Sequence, residues 1–241
     1  MLGKIRAIVI STIPYSENSV VLKCYTDQYG LQSYLINGVR SKKGSIKPSQ
    51  LMALSLLELD TYHQQNKNLQ RIKELKCNPQ LHHLHFDLFK SSIAIFISEL
   101  LSKSLKEENQ VDTQLFDFLF NSIQFIDLME EGLANIPCFF MVHLSKYLGF
   151  FPEVSSDTSR KYFSLREGIF VESNEFTPET ITLQESAYLR ELLNTNLSSL
   201  PLIKTPKDLR KTLLENMLRY YQIHLQQFHE LNSHKILSEV F

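Results

Sequence analysis

Cysteine is scarce in this chain of 241 residues. Cys24, Cys77 and Cys138 form an odd, widely spaced set, and no C-x-x-C pair occurs. That argues against a disulfide framework and against a cysteine-based zinc site, leaving the three as small buried hydrophobes. Long apolar runs are missing as well. Residues 93–97 and 136–142 are the best the sequence offers, far short of the roughly 20 residues that cross a bilayer. The start, Met1-Leu2-Gly3-Lys4-Ile5-Arg6, lacks the apolar stretch and small-residue cleavage site of a secretory signal, so the expected setting is the cytosol, with no membrane partner. No P-loop, G-x-S-x-G or H-E-x-x-H motif is present, and catalysis finds no support. Repeats and low-complexity segments are absent.

One further absence is local. Residues 28–57 contain no acid, although the whole chain carries a formal charge of only −1. Within that stretch Arg40, Lys42, Lys43 and Lys47 sit on a short segment bearing Gly38, Gly44, Ser41 and Ser45. A positive field this concentrated is what a phosphate backbone seeks; the competing account is a solvated hairpin loop. Residues 1–76 hold 11 Lys+Arg and five Asp+Glu, a net of +6, whereas the other 165 residues carry 14 basic and 21 acidic side chains, a net of −7. A cationic module on an acidic body points to a polyanion for the first part and to protein contacts for the rest.

With 43% hydrophobic residues the chain is expected to fold. Its first 76 residues read as about five short strands. Residues 4–13 alternate and are expected to stop at Pro14, residues 19–26 are Val-rich, Tyr29-Gly30 suits a turn before 31–37, a long apolar run spans 52–62, and 68–76 supply the last strand. Closing such a sheet into a barrel removes its edges. After Asn78-Pro79 the spacing becomes helical, over 80–106, 112–131 and 136–148. The second of these, with Phe118 and Phe125 on its far side, is expected to be buried all round. Residues 161–165 and 169–172 flank Arg166-Glu167-Gly168 as a hairpin. Helix returns at 182–194, and a last long one starts where Thr205 caps, Pro206 fits the first turn and Asp208 answers the cap. The predicted class is α+β, a β-barrel domain over 1–78 followed by a helical domain over 79–241 with a hairpin insertion at about 153–180.

Residues 15–19 (Tyr-Ser-Glu-Asn-Ser), 25–31 (Tyr-Thr-Asp-Gln-Tyr-Gly-Leu) and 37–43 (Asn-Gly-Val-Arg-Ser-Lys-Lys) resemble, in order and spacing, the RecO recombination mediators of bacteria. The family shows an aromatic-Ser-Glu step, a Thr-x-x-x-Gly turn and a Gly-small-Arg-x-x-basic loop. Residues 147–152 resemble the Leu-Gly-aromatic turn closing a family helix, and 231–237 the Ser-bearing segment near the family C-terminus. The resemblance implies an oligonucleotide-binding (OB) fold followed by a helical domain, and a non-enzymatic protein of the RecFOR pathway working at the nucleoid. It implies binding of single- and double-stranded DNA, annealing of complementary strands, and action on strands coated by single-strand binding protein. It also implies cooperation with RecR to load RecA. Many members insert a four-cysteine zinc ribbon after the Leu-Gly-aromatic turn. This chain has no cysteine in 153–180, so no cofactor, and no zinc in particular, is expected.

Arg40, Lys42, Lys43 and Lys47 are the first choice for phosphate contacts; about four contacts imply a log–log salt slope near −3 at roughly 0.7 per contact. Lys4, Arg6 and Lys23 extend the track if their strand faces turn outward, the alternative being a solvated face. Tyr25 and Tyr34 are candidates to stack on bases, against packing at the barrel end. For the tail of single-strand binding protein the residues proposed are Val142, His143, Lys146 and Tyr147; helix surface and core is the competing account. His82, His83 and His85 fit a solvated helix entrance better than a metal site, and His224 and Tyr221 fit satisfied interior positions. A protein-interaction adaptor with a basic barrel and a metal-dependent nuclease are the rival classes, the latter lacking clustered acidic ligands.

Overall fold

The computed structural model describes residues 2–39, 46–64, 67–106, 111–154, 157, 159–172 and 179–241. The chain divides into two compact units, Met1–Leu128 and Met129–Phe241.

The first unit opens with five strands: β1 (Leu2–Ser16), β2 (Ser19–Thr26), β3 (Gly30–Asn37), β4 (Leu56–Tyr62) and β5 (Leu69–Cys77). They close in the order β1-β2-β3-β5-β4, with β4 returning to β1 and only β3–β5 parallel. This is the five-stranded OB barrel. Its inward faces follow the period-2 alternation of the sequence: Ile5, Ala7 and Val9 meet Leu22, Cys24, Ile36, Leu57 and Leu59 in one buried cluster. The β2–β3 turn is fastened by Thr26, whose hydroxyl donates to the Gly30 carbonyl at 2.9 Å and accepts the Tyr29 N–H at 3.0 Å. Gly30 takes φ +61° there, a conformation costly to a side chain with Cβ.

Two strand limits differ from expectation. β1 runs through Pro14 to Ser16, because Pro14 sits beside a register irregularity against β2, where a missing N–H is tolerated. The apolar run 52–62 becomes strand only at Leu56; Pro48–Leu51 is a 3-10 turn and Leu54 has φ +62°.

Two helices complete the unit, α1 (Leu88–Ser104) and α2 (Thr113–Leu128). The first starts later than periodicity suggested. Asp87 caps it by accepting the Lys90 N–H at 2.9 Å. Residues 82–84 instead give their N–H groups to the Asp127 carboxylate at 3.0, 2.8 and 2.6 Å. α2 is not buried all round: Leu115, Phe116, Leu119, Ile123 and Ile126 face inward, while Phe125 is 37% and Leu128 71% exposed.

The second unit contains α3 (Ile136–Tyr147), a hairpin of β6 (Tyr162–Ser164) and β7 (Ile169–Val171), α4 (Leu183–Leu193), α5 (Lys207–His224) and α6 (Ser233–Val240). Thr182 and Glu185 form a reciprocal capping box on α4. At α5 the cap position is Pro206, not Thr205, and no side chain bonds there. As expected, His224 Nε2 lies 2.9 Å from the Leu165 carbonyl, and the Tyr221 hydroxyl donates to that of Met141 at 2.7 Å.

Packing holds the hairpin. Phe163 and Phe170 are fully buried and 5.2 Å apart between ring centroids; Tyr220 packs edge-on to Phe163, and the Arg190 guanidinium lies 4.0 Å over Phe170. The Ile181 N–H donates to the Phe163 carbonyl, the Phe163 N–H to Ser186 Oγ, and Arg166 forks onto Glu179. Among the described residues no group of three or more His, Cys, Asp or Glu is placed to hold a metal. No described helix is long and apolar enough to cross a membrane. The free cysteines Cys24 and Cys138 are buried and Cys77 half-buried.

Candidate nucleic-acid interface

The basic segment leaves the barrel where β3 ends. Gly38 takes φ +74°, Val39 turns into the barrel core, and its N–H donates to the Asn18 carbonyl at 3.1 Å. On the far side Ile46 packs against the same core and Leu51 is buried in it. Apolar anchors thus bracket residues 40–45, joining the segment to the barrel. Arg40, Lys42 and Lys43 themselves lie outside the described residues. Lys47 is exposed, and its backbone N–H donates to the Gln50 carboxamide oxygen at 2.8 Å.

The extension of the track over Lys4, Arg6 and Lys23 separates into three cases. Lys4, 70% exposed, lies 3.6 Å from Glu58, which Lys76 engages more closely at 2.8 Å. So loose an exposed pair is weak, and a phosphate can compete for Lys4. Arg6 is committed. Its Nε and backbone N–H both reach Asp27, at 3.1 and 3.0 Å, and its guanidinium lies 4.9 Å over Phe116 and 5.2 Å over Phe120. Its charge is consumed in holding α2 to the barrel. Lys23 is half-exposed on the outer face, paired in register with Ser11 and Ser33.

Neither tyrosine presents a face to a base. Tyr34 is fully buried in the barrel core, on the same side of β3 as Ile36. Burial drives its phenol well above the usual range. Tyr25 does lie on the outward side of β2 with Lys23, but α2 covers it: it is 5% exposed, stacks 6.4 Å from Phe116 and donates to the Asp112 carbonyl at 3.4 Å. The outer barrel surface carries other groups of the right kind. Register places Ile13, Val21, Leu35 and Arg71 in one row across four strands, and Tyr62 opposite Arg71. Arg71 is exposed, Tyr62 is 48% exposed, and Tyr15, at the end of β1, is 64% exposed. Strand-by-strand alternation left the positions of Tyr62 and Arg71 undetermined; only cross-strand register brings those two together.

In the second unit, the four residues assigned to a partner's tail do not form a notch. Val142 is fully buried, and His143 Nε2 lies 3.1 Å from the Leu192 carbonyl, with burial pulling its pKa down. Lys146 is exposed and Tyr147 half-buried beside them. A better groove lies between α3, α5 and α6, a cavity of about 210 Å³. Its floor includes Pro137, Leu214, Leu237 and Phe241; Lys207, Arg210 and Lys211 border it, against the single acid Glu215. His234 also borders it, with a buried Nδ1 that has no hydrogen-bond partner among the described residues.

Two family models match the chain. The one described as Recombination protein O N terminal covers residues 1–79, and Recombination protein O C terminal covers 85–233. Proteins named DNA repair protein RecO are similar along their whole length. That of Flavobacterium psychrophilum is 33% identical over 239 residues, 99% of this chain and 98% of the relative. That of Azobacteroides pseudotrichonymphae is 33% identical over 241 residues, all of both chains. The Phocaeicola vulgatus protein is 30% identical over 241 residues, again all of both.

Proposed function

The chain belongs to the RecO family of DNA repair proteins, and from that premise we propose that it is a recombination mediator. It binds single- and double-stranded DNA, anneals complementary strands, and with RecR loads RecA onto strands coated by single-strand binding protein. The observation carrying this reading is the acid-free basic segment anchored by Val39 and Ile46 to an OB barrel. A cationic track on such a barrel grips the backbone without reading base edges. Contacts of that kind lower the repulsion between two strands without fixing their register, which is what annealing requires. The protein itself makes and breaks no covalent bond.

The groove between α3, α5 and α6 takes the acidic, apolar tail of single-strand binding protein. Its floor accepts apolar side chains, and Lys207, Arg210 and Lys211 supply charge for carboxylates. Annealing assays test both parts together. The native protein should accelerate annealing of naked and of coated strands. The double variant Arg210→Glu/Lys211→Glu should keep the first activity and lose at least tenfold of the second, since reversing two charges repels an acidic partner. Failure on naked strands would dismiss the mediator reading; equal activity of the variant on coated strands would remove the tail from this groove.

The hairpin is proposed to need no zinc, and the packing of Phe163, Phe170 and Tyr220 supports that reading. Metal-dependent modules unfold when chelated. Here EDTA should leave the thermal midpoint unchanged, and a drop on chelation would reinstate a metal.

A further inference from the structure

A second cleft, of about 370 Å³, lies in the first unit beside Lys47, within the range of roughly 300–1,000 Å³ typical of small-ligand sites. Its lining is mixed. Met52, Leu56 and Cys77 are apolar or nearly so, whereas Lys47, Gln50 and His85 are polar, and Phe86 stands at its edge. His85 is held by the 2.8 Å contact of Nε2 with the Ala53 carbonyl, and Gln50 by the Lys47 N–H.

Phe86 is the anomaly. It is 80% exposed, immediately before the α1 cap residue Asp87. An apolar residue in that position ordinarily packs on the fourth residue of the helix as a hydrophobic staple. In α1 that residue is Ser91, whose hydroxyl instead donates to the Leu88 carbonyl at 3.1 Å. Phe86 therefore has no staple to make, and its ring is left to solvent at the rim of a cleft with donors and acceptors.

We propose that this cleft receives an unpaired base of a bound single strand, with Phe86 as the stacking surface and Lys47 on the adjoining phosphate. The inference rests on the single-strand binding proposed above and names where a base goes once the backbone is held. Three features favour a base over a peptide side chain. The lining is as polar as it is apolar, one cation borders it, and Lys47 continues directly from the basic segment. A stacking surface of this kind tolerates any base, because every base has a π-face.

The test uses the full chain and an oligo-dT strand carrying one 2-aminopurine. Truncating a ring this exposed should leave the fold intact, which melting curves check. Phe86→Ala should bind about five- to a hundredfold more weakly, the range spanned by loss of one base–aromatic stack, and should no longer quench the 2-aminopurine. Phe86→Tyr should restore both readouts, and on a strand of abasic sites the difference between native and Phe86→Ala should vanish. Native binding with unchanged affinity and quenching in Phe86→Ala would overturn the base site alone. Phe86→Leu matching the native protein would overturn it too, by showing an apolar contact without stacking. No binding by the native protein would remove the function reading and this inference together.

Discussion

Replacing Arg40, Lys42 and Lys43 together with Ala should weaken single-strand binding about a hundredfold at 0.1 M salt, judged from counterion release at ~0.7 per phosphate contact. With Lys47 as a fourth contact the native log–log salt slope should be near −3; with Lys47 alone it should fall to about −0.7. Two lost decades per decade of salt, counted down from ~1 M where ions compete fully, give the hundredfold figure. Thermal stability should not change, because the residues that tie the segment to the barrel, Val39, Ile46 and Leu51, remain in place. Anisotropy titrations at two or more salt concentrations, with a melting curve for each protein, are sufficient. A slope that stays near the native value would move the phosphate track to the outer barrel face, where Lys23 on β2 and Arg71 on β5 flank β3.

The barrel was legible because its strands alternate cleanly and its turns carry Gly. What alternation alone could not give was which side of each strand a helix would later cover. Tyr25 has the outward parity expected of it, yet α2 lies over it through Phe116 and Asp112, and Arg6 is spent in the same contact. Tyr34 differs: it shares parity with the core residue Ile36, so alternation along β3 itself places it inside the barrel. Arg71 and Tyr62 lay beyond sequence reasoning, since the parallel β3–β5 pairing sets Arg71 beside Leu35 and the β4–β5 register sets Tyr62 beside Arg71. In the second unit, Val142 shows the limit of helical periodicity. α3 is buried on most of its circumference, so no stripe on it marks a free surface, and the better groove needs three helices at once.

The tie between Asp127 and residues 82–84 is expected to dominate the stability of the first unit. Asp127 stands in the last turn of α2, where a negative charge is disfavoured by the helix dipole, and it is only 3% exposed. Its carboxylate compensates by accepting three backbone N–H groups, at 3.0, 2.8 and 2.6 Å, while the buried Lys90 ammonium donates to its carbonyl at 2.7 Å. Asp127→Ala leaves three donors without that acceptor; the Leu84 N–H is buried and the other two are part-buried. At ~1–3 kcal/mol for a buried group and less for the others, the loss should reach about 2–4 kcal/mol. Asp127→Asn keeps one carbonyl oxygen and should lose about half as much. Burial pushes the carboxyl pKa up, but the bonds from His82, His83 and Leu84 outweigh it and hold the group below its ordinary value. A depressed carboxyl stabilises the fold above its unfolded pKa of ~3.9. The advantage of native over Asn should therefore be full at pH 7 and disappear as pH falls through the depressed value. Urea unfolding followed at both pH extremes measures it, and equal midpoints for native and Ala at pH 7 would refute it. The same clamp fixes the backbone immediately before His85 and Phe86, so a mild variant such as Asn should also loosen the cleft. Partial loss of 2-aminopurine quenching at a pH where the fold survives would then trace base binding to a carboxylate that touches no DNA.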